Sequence, residues 1–307
     1  MVEKLFGIKL AVIGGDERQI FLVNKLLELG AKIKIIGLPE RKELIGCQFC
    51  QDLAQTIEDV NAIILPMPGT DFEGNVITAL SSQSIQLTER IFQKIPNNVP
   101  IFLGVAKPFL KEWARFYQKK LIEIAELDEI AILNSIPTAE GCLQMAMEKL
   151  PITIHGSKSI IIGFGRCGKT LARMLYALGA KTTVIARNPA HLARIKEMGL
   201  NVANYNELPE ILKEADIIFN TVPIQILNEK ILKVVKKEVL IIDIASAPGG
   251  TDFQAAERLG INAILAPSLP GLVAPKTAGL ILADTLPDLI LREISLPNKY
   301  EVGGKKI

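Results

Sequence analysis

Residues 158–188, KSIIIGFGRCGKTLARMLYALGAKTTVIARN, constrain the fold more than any other stretch. Ile160, Ile161 and Ile162 make a short continuous apolar run, the pattern of a strand buried on both faces of a parallel sheet. Gly163-x-Gly165-x-x-Gly168 reads as a tight turn, Leu171 to Leu178 as a helix, and Thr182 to Ala186 as a second strand. Together they complete a βαβ unit. In such a unit Gly163 permits the turn, Gly165 lets the backbone approach a pyrophosphate, and Gly168 lets helix and strand pack closely, with the helix N-terminus facing the anion. A G-x-G-x-x-G is weak by itself, and its place between strand and helix is the context that supports it. Residues 163–168 (Gly163, Phe164, Gly165, Arg166, Cys167, Gly168) are therefore candidate cofactor contacts.

The same glycines fit a second motif. Gly163, four residues, Gly168, Lys169 and Thr170 match the P-loop pattern, and Asp243 in VLIIDIA could supply the acidic magnesium partner. The end of the second strand separates the two readings. A dinucleotide fold places the group that reads the adenosine ribose there, about 20 residues on, and Arg187 and Asn188 hold that place. An acidic residue would accept from a 2′-hydroxyl, whereas Arg187 would pair with a 2′-phosphate, so NADP is favoured over NAD.

A chain of 307 residues is long enough for two buried cores, and 49% hydrophobic with 22% charged residues is ordinary globular composition. The net charge of +2, without a basic cluster, gives no sign of a nucleic-acid partner. The most apolar stretch, Ile264 to Ala283, contains Pro267, Pro270, Pro275 and Lys276, so no membrane span is expected. The opening residues run straight into a strand without signal-peptide architecture, and a cytoplasmic protein is expected. Cys47 and Cys50 form one C-x-x-C without a second pair, which reads as two free thiols, and no metal site is expected.

Residues 9–36 repeat the α/β theme with strands Lys9 to Ile13 and Lys32 to Ile36, but their Gly14-Gly15-Asp16 turn lacks the third glycine. Further strands are expected at Ala62–Leu65, Pro100–Val105, Ile217–Asn220, Val239–Ile242 and Ala263–Leu265. Asn134-Ser135-Ile136-Pro137 reads as the start of a helix, with Ser135 as cap, Pro137 in the first turn and Glu140 near the positive end. The loops Thr221-Val222-Pro223 and Ala245 to Gly250 follow strands of the second domain and should lie along the cofactor. Asp243 is either a cleft group or a strand-end cap. A terminal amphipathic helix, Thr277 to about Arg292, should return to the first domain, and the tail from Pro297, with Gly303, Gly304, Lys305 and Lys306, should fray.

The fold class is thus α/β, two Rossmann-like or flavodoxin-like parallel-sheet domains with a ligand cleft between them. Residues 1–135 form the substrate-side domain, completed by helix 277–295, and residues 136–276 the NADP-binding domain. Ser135 and Thr138 on one side, and Lys276 with Thr277 on the other, are candidate anchors for a substrate anion. Lys276, Ser246 and Asp243 are the candidates for catalytic contact.

AVIGGDERQ, NSIPTAEG, ITIHGSK before GFGRCGKTLAR, ARNPAHLARIKEMGL, NTVP, DIASAPGGTDF and LAPSLPGLVAPKTAGLILA span nearly the whole chain. Through these stretches it resembles the dipicolinate synthase A-subunit family of spore-forming bacteria. The resemblance implies oxidation of a dihydrodipicolinate-type heterocycle from the lysine pathway to pyridine-2,6-dicarboxylate. It further implies sporulation in the mother cell and a flavoprotein-like B-subunit; a homo-oligomer stays open. The architecture is also similar to D-2-hydroxyacid dehydrogenases, which use a late histidine as acid and base. The two histidines here are His155 and His191, and none follows. An oxidation that forms an aromatic ring needs orientation and hydride acceptance more than a strong base. The alternatives are a cofactor-binding regulatory protein without catalysis and a P-loop NTPase.

Overall fold

The computed structural model describes residues 4–296. It divides into two compact units, the first formed by the chain up to Ala131 and from Ala274 onward, the second by Ile132–Val273. The tail from Pro297, expected to fray, lies outside the described residues.

In the first unit β1 (Lys9–Ile13), β2 (Lys32–Ile36), β3 (Gln48–Phe49), β4 (Ala62–Ile64), β5 (Ile101–Leu103) and β6 (Leu121–Glu123) form a parallel sheet in the order β3-β2-β1-β4-β5-β6. Its helices are α1 (Glu17–Glu28), α2 (Leu53–Ile57), α3 (Glu89–Lys94) and α4 (Pro108–Phe116). Successive strand residues point to opposite faces. Leu10 and Val12 accordingly join the core under α1, while Ala11 and Ile13 join the core with Phe92 and Leu110 on the other face. A strand segment buried on both sides must be apolar at every position, which is why Leu10 to Ile13 do not alternate.

α5 (Asp128–Lys149) carries the chain from the first unit into the second. It corrects the helix start expected at Ser135. Asp128 and Glu129 stand in the first turn, and Pro137 lies inside the helix. Proline there removes one donor, so the Leu133 carbonyl loses its helical partner. On either side the Ser135 and Thr138 hydroxyls donate to the Ile132 and Asn134 carbonyls, at 2.6 and 2.7 Å. Asn-Ser-x-Pro has the composition of a cap and the environment of a helix interior. The helix-terminus anion site expected at Ser135 and Thr138 is therefore not formed.

The second unit contains β7 (Lys158–Ile162), β8 (Lys181–Ile185), β9 (Asn201–Ala203), β10 (Ile217–Asn220), β11 (Leu240–Asp243) and β12 (Asn262–Leu265). They too are all parallel, in the order β12-β11-β10-β7-β8-β9. Between them run α6 (Arg166–Ala177), α7 (Pro189–Glu197), α8 (Leu208–Leu212), α9 (Glu229–Leu232) and α10 (Phe253–Arg258), and α11 (Leu269–Val273) closes the unit. Counted from its own first strand, each sheet has the order 3-2-1-4-5-6 of a dinucleotide-binding fold.

The last helix, α12 (Pro275–Ser295), belongs to the first unit. Leu282, Leu286, Leu289 and Ile290 enter the same core as Leu22 and Leu26 of α1. No described helix is long and apolar enough to cross a membrane. Cys47 and Cys50 are both free thiols, and burial pushes the Cys47 thiol up to about 12.

α1 and α12 meet at Gly279, where a Cβ would stand 2.7 Å from the Arg18 carbonyl oxygen and 2.8 Å from Phe21 Cβ. Helix propensity alone favours Gly279→Ala by about 1 kcal/mol. The contact opposes it, and a net loss of about 1–3 kcal/mol is expected. Urea unfolding decides the sign, and a more stable variant would show that the two helices part without cost.

Candidate cofactor site

At the end of β7 the chain makes the glycine turn. Gly163 has φ +100°, a left-handed conformation, and a Cβ there would lie 2.3 Å from Thr221 Oγ1. Gly168 lies against the Gly163 carbonyl, where a Cβ would come within 2.4 Å of the oxygen. At Gly165 a Cβ would meet nothing within 4 Å. The first and third glycines are thus required by packing, and the second borders open space. Gly165 is also the N-cap of α6 and offers no side-chain cap, so the first N–H groups of the helix keep their donors for an anion.

A cavity of about 710 Å³ opens beside this turn. Gly163, Phe164, Gly165, Arg187, Asn188, Thr221, Val222 and Pro223 line it, together with Ala186, His191, Tyr205, Ile224 and Ile226. The size and apolar walls suit a nucleotide. His191 meets Phe164 edge to face, with ring centroids 5.6 Å apart. Burial pushes the Tyr205 phenol up, while the Arg187 guanidinium pulls it the other way. His191, Tyr205, Ile224 and Ile226 were not expected from the sequence. His191 had a signal, since it falls in the first turn after the Asn188 cap. Tyr205 follows a strand too short to show a period.

Arg166, Cys167, Gly168 and Ala245 do not line the cavity; the first three open α6. Burial pushes the Cys167 thiol up, against the pull of Arg166 and a hydrogen bond with Thr138. Thr170, the residue a P-loop would turn toward magnesium, has its Oγ1 2.6 Å from Ser135 Oγ on α5. Each hydroxyl also reaches a carbonyl of its own helix, Ser135 that of Ile132 and Thr170 that of Arg166. Lys169 Nζ lies 5.6 Å from the Phe164 ring centroid. The groups that would serve a nucleoside triphosphate are engaged elsewhere, and the dinucleotide reading fits the turn.

Asp243 is also not a cleft group. It is fully buried, and its carboxylate accepts from the Ala245 N–H (3.1 Å), the Gly250 N–H (2.8 Å) and the Thr251 hydroxyl (2.7 Å). The register pairs it with Asn220, whose buried amide accepts from the Val222 N–H and donates to the Val222 carbonyl. These two side chains hold the loops after β10 and β11. Asp243 thus organises the loop that presents the exposed Ser246 and is itself removed from the catalytic candidates. Lys276 and Thr277 are exposed in the first turn of α12, in the first unit.

Residues 9–125 match the N-terminal domain of the dipicolinate synthase A-subunit, and residues 137–249 match the NAD-binding domain of D-isomer-specific 2-hydroxyacid dehydrogenases. The dipicolinate synthase A-subunit of Bacillus subtilis (strain 168) is 44% identical over 93% of this chain and 97% of its own. The chain belongs to the dipicolinate synthase A-subunit family. The crystal structure of the family member from Bacillus halodurans agrees with a TM-score of 0.90 at 40% identity, over 95% of this chain and 99% of that one. The crystal structure of the Bacillus subtilis dipicolinate synthase gives 0.87 at 44% identity, over 94% and 97%. This family member therefore carries an NAD-binding domain of dehydrogenase type in its second unit, and a nicotinamide dinucleotide is the cofactor that domain holds.

Replacing the buried Asp243 carboxylate tests its place in the loop. Asp243→Asn sets an amide NH₂ where three donors now converge. A loss of about 1.5–3 kcal/mol is expected, the scale of hydrogen bonds to a charged group. Thermal unfolding reads it, and unchanged stability would return Asp243 to the cleft.

Proposed function

We propose that this family member oxidises a dihydrodipicolinate-type substrate to pyridine-2,6-dicarboxylate with NADP, in the cytoplasm of the mother cell during sporulation, together with a flavoprotein-like B-subunit. This second protein and the setting come from the family resemblance and from the relative's name.

The observation that carries the choice of NADP is the arginine that stands, with no carboxylate beside it, at the end of β8. Arg187 is exposed there. Asn188 caps α7 with its Oδ1, which accepts from the Ala190 N–H at 2.8 Å, and its NH₂ offers a further donor. No Asp or Glu lines the cavity among the described residues. A 2′-hydroxyl would find no carboxylate to accept from it, and a 2′-phosphate would find donors. Gly163 to Gly168 would hold the pyrophosphate at the start of α6, and the loops at Thr221, Val222, Pro223 and Ala245 would flank the nicotinamide half.

A bound nicotinamide would supply a hydride acceptor for one ring carbon of the substrate, and loss of a proton from the neighbouring carbon would complete the two-electron oxidation to the aromatic heterocycle. The protein orients the substrate, and the Ser246 hydroxyl on the Asp243-anchored loop is the polar group offered near the departing proton. Lys276 and Thr277 serve a substrate carboxylate.

Purified protein should reduce NADP when given a dihydrodipicolinate, read by the absorbance of the reduced nicotinamide. NADP binding without turnover would leave a cofactor-binding regulatory protein instead. Arg187→Asp should lose about 1.5–3 kcal/mol of NADP affinity, roughly ten- to a hundred-fold, and move the preference toward NAD. Equal affinities of the unaltered protein for both cofactors, by calorimetry, would refute the assignment of Arg187.

A further inference from the structure

Two helices of the first unit begin side by side. Near its start α12 lies against Arg18 of α1, at Gly279. Farther along, Asp288 pairs with Lys4 at 2.5 Å, next to Leu5, whose N–H donates to the Leu29 carbonyl at the far end of α1. The helices are therefore parallel, and Lys276 and Thr277 stand less than one turn before the contact with Arg18. Ala274 gives α12 no side-chain cap, and Pro275 has no N–H. The Ala278 N–H reaches the Ala274 carbonyl, which leaves those of Lys276 and Thr277 as the open donors of this helix start.

Arg18 is only 4% exposed, yet just part of its guanidinium is engaged. Asp16 takes one edge of the fork, with Nε to Oδ1 at 2.9 Å and Nη2 to Oδ2 at 2.6 Å. The end-on edge, built on Nη1, has no partner among the described residues. That edge is a planar pair of donors with the spacing of a carboxylate. Asp16 supplies the negative charge that lets Arg18 be buried, and it fixes the plane of the fork. Gln19, 1% exposed, accepts from the Asp16 N–H through Oε1 at 3.4 Å, and its Nε2 has no acceptor among the described residues. These groups stand at the carboxyl end of β1, beside β4, where the strand order reverses and open parallel sheets take their ligands.

The geometry points to a dicarboxylate site in the first unit, with one carboxylate in the free edge of Arg18 and the other at the start of α12 on Lys276 and Thr277. It rests on the dicarboxylate chemistry proposed above and supplies the anchor lost at Ser135 and Thr138. The NADP-loaded protein is titrated by calorimetry with pyridine-2,6-dicarboxylate and with pyridine-2-carboxylate. Arg18→Lys keeps a cation for Asp16 and loses the fork. It should weaken dicarboxylate binding by about 10- to 100-fold, with NADP affinity unchanged. Lys276→Ala, an exposed change that leaves the fold intact if Arg18→Lys does not, should bring the dicarboxylate down to the affinity of the monocarboxylate. Dicarboxylate binding that is absent from the unaltered protein, or unchanged in either folded variant, overturns the site. Arg18-dependent binding without NADP reduction keeps the site and removes the reaction. Turnover with an unchanged KM in Lys276→Ala keeps the reaction and removes the site.

Discussion

α6 can stand on the end of β7 only because Gly163 and Gly168 have no side chains. The Gly163 carbonyl fills the space that a Cβ on Gly168 would need, and Thr221 fills the space beside Gly163. This contact sets the direction of α6, and with it the direction of the uncapped N–H groups at its start. The hydrogen bond between Thr170 and Ser135 then fixes the same helix against α5. A pyrophosphate site made of backbone donors has no side chains to adjust, so its precision depends on this packing.

The loops beyond β10 and β11 are held by a different device. Asn220 and Asp243 occupy paired register positions at the ends of their strands, and both are fully buried. Each turns back on the loop that follows it and satisfies backbone groups there. A buried carboxylate with three donors is stable where an unpaired one would not be. Fully buried, it also has no open face toward a substrate. Position at a strand's carboxyl end thus has two meanings, and only the count of donors around the side chain separates them.

That distinction marks where the sequence was legible. Strands such as Ile217–Asn220 showed because both faces of each sheet are covered, so the apolar run has no gaps. The glycine turn showed because Gly163 and Gly168 each answer a steric demand and Gly165 keeps the space before α6 open. β3, with two residues, and β9, with three, are too short to carry a pattern. The start of α5 was misread because Ser, Thr and Pro serve a helix end and, with hydroxyls folded onto the preceding turn, a helix interior equally well. Arg18 gives no signal in the sequence, because a charge in the first turn of an amphipathic helix is usually solvated. Its backbone packs against Gly279 of α12, more than two hundred residues later in the chain.

The two units share a strand order and differ in the turn after the first strand. In the second unit that turn ends on Gly165, which leaves α6 uncapped and the space before it open. In the first unit Asp16 takes the same place, accepts from the Arg18 N–H, and brings a negative charge to the start of α1. Gly15 is covered by Gln19, where a Cβ would meet the side chain at 2.6 Å. A phosphate is thus refused by charge and by space. The same Asp16 orients the guanidinium of Arg18, so the change that closes the turn to a dinucleotide leaves a fork of donors beside it. One architecture can hold a nucleotide in one copy and a small carboxylate in the other, because ligand class is decided within the few residues that cap the first helix.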